Sequence, residues 1–157
     1  MLKILHNIQN LAFEPIRYIY SETIERIAEQ DGITAAECAV YDDISLFLSE
    51  KDTVCFLWES DGRCVSCVRC ERYADGLLLT CLETAPQDRR KGYASMLIAE
   101  ILTRVSKQDA LPVYVHIHNK NRASFSLHKR LGFRIVSDFA KLVDGTISRS
   151  YCTMKYE

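Results

Sequence analysis

From Pro15 onward the apolar residues Ile16, Ile19, Tyr20, Ile24 and Ile27 recur at helical spacing until Asp31-Gly32 interrupts them. That spacing predicts a first helix, opened by a proline and closed by a glycine. Thr34-Ala35-Ala36-Glu37 reads as a capping box, and Val40, Tyr41, Ile44, Phe47 and Leu48 carry one apolar face from it to about Glu50, a second helix. The period then changes. Val54 to Trp58, Cys64 to Arg72 and Leu77 to Glu83 are short apolar or alternating runs separated by Ser60-Asp61-Gly62 and Ala74-Asp75-Gly76, the pattern of an antiparallel meander. Leu2 to Leu5 reads as an earlier strand. Gly92 opens another helical run, with Tyr93, Met96, Leu97, Ile101, Leu102 and Val105 on its apolar side, and Val113 to His118 follows as a strand. Strand, helix and strand make a βαβ crossover. A short helix from about Arg122 to Leu131 stops at Gly132, and Phe133 to Leu142 and Thr146 to Lys155 flank Asp144-Gly145 as a terminal hairpin. The fold class is α+β, of the α/β three-layer sandwich type, with a central mixed, mostly antiparallel sheet flanked by helices.

The length of 157 residues fits one domain, 1–157, with a helical region at 1–50, a core at 54–136 and the hairpin at 133–157. Twenty Lys plus Arg against twenty-one Asp plus Glu leave a net charge of −1, which provides no global field for nucleic acid or an anionic membrane. The longest apolar runs, such as Leu77-Leu78-Leu79, fall far short of the roughly 20 residues that span a bilayer, and Met1-Leu2-Lys3 does not read as a signal peptide. The expectation is a cytoplasmic protein with neither nucleic acid nor membrane as partner.

Seven cysteines are an odd number for a disulfide framework, and they read as reduced thiols. The spacing Cys64-x-x-Cys67-x-x-Cys70 suggests a metal site, but it falls on a predicted strand. Period-2 alternation places Cys64 and Cys70 on one face and Cys67 on the other, so the three cannot converge on one ion. They read as small core hydrophobes, and no metal is expected.

The chemistry concentrates between the strand Leu77 to Glu83 and the helix opened by Gly92, in Glu83-Thr84-Ala85-Pro86-Gln87-Asp88-Arg89-Arg90-Lys91-Gly92-Tyr93-Ala94. The free N–H groups of a helix start carry partial positive charge and can hold a pyrophosphate. Gly92 and Ala94 allow close approach to the backbone, and Arg89, Arg90 and Lys91 add three cations. A second segment, Asn121-Arg122-Ala123-Ser124-Phe125-Ser126-Leu127-His128-Lys129-Arg130-Leu131-Gly132-Phe133, follows the crossover's second strand.

Together the two segments resemble the GNAT acetyltransferase superfamily. The family's pyrophosphate motif, Arg/Gln-x-x-Gly-x-Gly/Ala, is met by Arg89, Gly92 and Ala94 behind Pro86. Its second motif, Asn-x-x-Ala followed by an aromatic-bearing helix and Leu-Gly-Phe, is met by Asn121, Ala123 and Leu131-Gly132-Phe133. The resemblance covers Leu77 to Val136 most strongly. It implies the GNAT-like acyl-CoA N-acyltransferase fold, with acetyl-CoA as cosubstrate in an opening between the strand ending at Glu83-Thr84 and the strand Val113 to His118. Backbone groups at Leu82, Glu83 and Thr84 would pair with the pantetheine arm. Arg89, Arg90, Lys91, Gly92, Tyr93 and Ala94 would cradle the pyrophosphate, with Asn121 and Ser124 completing the cofactor set.

The activity implied is acetyl transfer to the primary amine of an unidentified acceptor by direct attack, which needs no metal. Such a reaction gains from a base for the amine and an acid for the leaving thiolate. Family members commonly carry Tyr four residues before the Gly of Leu-Gly-Phe; here that position holds His128, a different acid. For the base there are two candidates, His116 and Glu83. Alternation groups Tyr114, His116 and His118 on one face. The departure at His128 motivates an alternative reading, a CoA-binding regulatory or partner-binding module with weak turnover. An exposed terminal strand would permit sheet-edge pairing into a homodimer.

Overall fold

The computed structural model describes residues 1–6, 13–108 and 111–157. Its strands form one mixed seven-stranded sheet and a separate two-stranded ribbon, and its elements belong to two compact units.

The first unit comprises Met1–Cys70 and Cys81–Leu97. Strand β1 (Leu2–Leu5) pairs antiparallel with β2 (Val54–Ser60), and β2 pairs antiparallel with β3 (Arg63–Tyr73). Between β1 and β2 come α1 (Phe13–Ile19), α2 (Ser21–Asp31) and α3 (Ile33–Ser49). The single first helix expected from Pro15 is therefore two. The break falls at Tyr20, whose φ of −97° and ψ of 18° lie in the bridge region, and it leaves Ile19, Tyr20 and Ile24 all buried. The second helix begins one residue earlier than Thr34. Gly32 takes the N-cap position, no side chain caps the end, and Glu37 instead bonds Arg17 at 2.8 Å. On α3 the buried residues Ala36, Val40, Ile44 and Leu48 recur every fourth position and meet Cys55 and Leu57 of β2 and Cys64 and Cys67 of β3. Each full burial of such an aliphatic side chain contributes about 1.5–3 kcal/mol.

The cysteine faces differ from the alternation. Trp58 pairs with Ser66 but Glu59 pairs with Cys64, so Val65 is an extra residue on β3. This bulge turns Cys64 to the face of Cys67, into the helical core, while Cys70 stays opposite. Among the described residues no three His, Cys, Asp or Glu side chains gather to hold a metal ion.

The second unit comprises Glu71–Thr80 and Ile98–Glu157. Strand β4 (Gly76–Thr84) leads through a 3₁₀ turn at Pro86–Asp88 into α4 (Tyr93–Gln108) and then β5 (Val113–His118). Leu77, Leu78 and Leu79 pair parallel with Val113, Tyr114 and Val115, as the crossover requires. After α5 (Arg122–Arg130) the expected hairpin is interrupted. Strands β6 (Arg134–Ser137) and β9 (Tyr151–Tyr156) pair antiparallel, and β7 (Ala140–Lys141) and β8 (Ile147–Ser148) form the small ribbon. Because β9 lies between β5 and β6, the sheet order is β1-β2-β3-β4-β5-β9-β6, with β1 and β6 at its edges. The pairings are antiparallel apart from β4 with β5 among those described, the α+β sheet expected from the sequence. No helix of the described residues is long and apolar enough to cross a membrane.

Candidate functional site

The basic loop belongs to the first unit. The turn Pro86–Asp88 ends in Arg89, and Arg90 and Gly92 both take left-handed backbone, φ 66° and 88°, immediately before α4. Among the described residues a β-carbon on Gly92 would meet nothing within 4 Å, which leaves room for a ligand beside the loop backbone. The first α4 bond runs from Met96 N–H to the Gly92 carbonyl at 3.0 Å. The N–H groups of Tyr93, Ala94 and Ser95 precede it, as unpaired donors at a helix start do. Open space, spare donors and positive potential fit a pyrophosphate.

The three cations of this loop are not equivalent. Arg89 donates from Nη2 to Glu83 Oε1 at 3.0 Å and to Glu22 of α2, and from Nε to the Thr84 carbonyl at 3.2 Å. Lys91 Nζ donates to Asp88 Oδ1 at 2.7 Å, while Asp88 Oδ2 accepts from the Tyr18 hydroxyl at 2.8 Å. The Lys91 bond and the Tyr18 hydroxyl hold the buried Asp88 carboxyl below its ordinary range, against the cost of burial. All three are exposed, and among the described residues Arg90 alone of them has no side-chain partner. Arg89 and Lys91 thus shape the loop, and Arg90 is its available charge.

The end of β4 is partly engaged as well. Ser66 Oγ donates to the Glu83 carbonyl at 2.8 Å, and Glu83 Oε1 accepts from the Thr84 N–H at 3.2 Å in addition to Arg89. Thr84 Oγ1 lies 2.9 Å from Ser66 Oγ. Leu82, Glu83 and Thr84 are all half-buried. Cys81, just before them, is exposed with φ 51°, a left-handed residue inside a strand.

The remaining candidates belong to the second unit. Asn121 caps α5, its Oδ1 accepting from the Ser124 N–H at 3.0 Å. His128, in the last turn, is 3% exposed. Its Nδ1 lies 2.8 Å from the Ser124 carbonyl, an acceptor only, so Nδ1 carries the proton. Burial lowers the His128 pKa, the Ser124 bond opposing only in part, and the ring is neutral at pH 7. The helix ends there in a Schellman motif. Phe133 N–H donates to the His128 carbonyl and Gly132 N–H to the Lys129 carbonyl, each at 3.1 Å, with Gly132 at φ 97° and the Phe133 ring edge-on to His128 at 5.1 Å.

His116 is half-buried on β5 and packs edge-on against Tyr73 at 5.1 Å. The Tyr73 hydroxyl donates to the Lys141 carbonyl at 2.8 Å, so at 3.3 Å from that oxygen His116 Nε2 acts as donor. Neutral His116 then keeps its lone pair on Nδ1, and burial pushes its pKa down. Tyr114, His116 and His118 face Lys155, Thr153 and Tyr151 across the β5–β9 ladder, the common face expected from alternation.

Sequence reading missed Glu22, Asp88 and Tyr18. Asp88 lay inside the motif loop as a visible signal, whereas nothing local marks Glu22, which meets Arg89 from 67 residues away.

The sequence pattern described as the Acetyltransferase (GNAT) family matches residues 9–133. The chain belongs to this family and is an acyltransferase. No curated protein matches it by sequence. Among solved structures it is similar to the PaiA N-acetyltransferase from Thermoplasma acidophilum in complex with coenzyme A, at 17% identity over 100% of this chain and 99% of that one, with a TM-score of 0.66. It is also similar to PH1933 from Pyrococcus horikoshii OT3, at 14% identity over 100% and 98% of the two chains, with a TM-score of 0.71. The IAA acetyltransferase from Bacillus cereus aligns at 11% identity over 100% and 98%, with a TM-score of 0.67. At these identities the likeness is one of fold.

Proposed function

We propose that this enzyme acetylates a primary amine by direct attack on the thioester, with no acyl-enzyme. The observation that carries the reading is the loop at Arg90–Gly92, with two left-handed residues before a helix start, a guanidinium without a partner among the described residues, and nothing described within 4 Å of where a Gly92 β-carbon would lie. When bound, acetyl-CoA supplies an activated thioester, so the protein's work is positioning and proton management. The new N–C bond forms as the C–S bond breaks, the amine loses one proton and the thiolate gains one.

His116 is the better base of the two candidates. Glu83 Oε1 is already shared between Arg89 and the Thr84 N–H, whereas His116 is neutral with Nδ1 unprotonated. His128 serves as a positioning residue: its only proton is held by the Ser124 carbonyl, so the thiolate takes its proton from solvent. That same geometry favours a second reading, a CoA-binding module with weak turnover, because the position commonly held by Tyr supplies no acid.

Mass spectrometry of reactions with acetyl-CoA and a panel of peptide N-termini, lysine, polyamines, aminoglycosides and small amino acids separates the two. An acetylated product formed with stoichiometric thiol release supports transfer. Tight CoA binding without product from any amine supports the module.

A further inference from the structure

The outer side of α5 carries a cavity of about 440 Å³ with which the acetyl-transfer reading does nothing. At 100° per residue, Arg122, Phe125 and Ser126 lie on one side of this helix, and Ser124 and His128 lie on the other. The cavity is built on the first set. Phe125, Ile135 of β6 and Cys152 of β9 form its apolar wall. Its size is within the range of small-molecule sites, about 300–1,000 Å³.

Its polar lining is His118, Asn119, Arg122 and Ser126, and the Asn119 amide N–H is already given to the Arg149 carbonyl at 2.9 Å. The Arg122 guanidinium has no hydrogen bond or ion pair among the described residues. His118 Nδ1 accepts the Lys120 N–H at 3.1 Å, so in the neutral ring the proton resides on Nε2, which remains a donor. Ser126 adds a hydroxyl, and no carboxylate lines the cavity. Ile135, 55% exposed, presents apolar surface at the rim.

We propose that this cavity binds a small amphipathic carboxylate, its carboxylate on Arg122 and the His118 and Ser126 donors, its flat apolar body against Phe125, Ile135 and Cys152. A planar guanidinium matches a carboxylate in two parallel bonds, and the absence of any anionic neighbour leaves that fork unopposed. An amine would find no counter-charge here, so the site is not a second acceptor site.

The test uses the full-length protein and 2-naphthoate as probe, with 2-naphthylmethanol as its neutral counterpart. Calorimetry is expected to show one saturable naphthoate site that persists at saturating CoA. Naphthylmethanol and the Arg122→Gln variant should each weaken binding about tenfold, the worth of a charge-assisted pair. Ser126→Phe should fill the cavity and abolish binding, and naphthoate should slow modification of Cys152 by a thiol reagent. Thermal melts establish that both variants fold, and Arg122→Gln, at an exposed position, serves alone if Ser126→Phe does not. No binding at millimolar probe, displacement by CoA, or naphthoate affinity unchanged in Arg122→Gln would each overturn the proposal.

Discussion

Arg89 Nη2 donates to Glu83 Oε1 across 3.0 Å, so the residue that opens the phosphate motif is already paired at the protein surface. Glu22 and the Thr84 carbonyl complete its coordination, tying α2, β4 and the loop together. That leaves its neighbour Arg90 as the proposed phosphate-binding cation. Arg90→Ala is expected to raise the Kd for CoA about tenfold or more, the loss of a charge-assisted contact, while the melting temperature stays within a degree or so because the side chain makes no hydrogen bond or ion pair among the described residues. Calorimetry and thermal melts on the variant decide it. Unchanged affinity would return the role to Arg89 or to the backbone alone.

The proposed proton removal by His116 would have a pH signature. Burial lowers its pKa, so the lone pair on Nδ1 persists below the ordinary value of about 6.5, and the acidic limb of kcat/KM should fall below that pH. His116→Gln should lower kcat by about 10²-fold or more, with little change in KM for acetyl-CoA. If the limb survives the substitution, Glu83 or solvent is the base.

His128 should make stability depend on pH. Its folded pKa is depressed, so the unfolded chain binds more protons once the pH falls below about 6.5. Its contribution is full above that pH and is lost as pH drops through the folded value, with a slope of at most about 1.4 kcal/mol per pH unit per proton. His116 acts in the same direction. Urea midpoints of the parent should therefore decline between neutral pH and pH 5 more steeply than those of His128→Asn. Parallel curves would contradict a buried neutral imidazole.

Much of this architecture is legible locally. Strand β5 runs from Val113 to His118 as expected, because Pro112 and Asn119 bound a short apolar run and each end is set by its own residues. The place of the basic loop is legible for the same reason: a strand end, a glycine and a helix start suffice. What the sequence conceals is decided elsewhere. One extra residue, Val65, reverses the face of Cys64, and alternation counted along β3 alone cannot detect it. Tyr20 keeps the apolar spacing of a continuous helix while its backbone breaks it. The Thr34 capping box loses to Gly32, whose φ of 81° starts the helix earlier. His128 sits where the motif places it, but its burial and its bond to Ser124 follow from packing against Phe133.

The thiols give an independent check on packing. Cys38 and Cys81 are exposed, whereas Cys55, Cys64, Cys67 and Cys70 are buried. A thiol reagent should modify the first two rapidly and the four buried ones only at the rate of unfolding, with all seven reacting in denaturant. Rapid reaction of Cys64 in the folded protein would contradict the bulge that turns it into the core.

The loop's claim on the cofactor rests on Gly92, and calorimetric titration of CoA into the parent and into Gly92→Val tests it most directly. Valine at φ 88° is strained by about 1–3 kcal/mol and its side chain occupies the open space where a phosphate would lie. One CoA per parent chain is expected, with no measurable binding to a variant that still melts cooperatively, at a lower temperature. Equal affinity in the two proteins would contradict it.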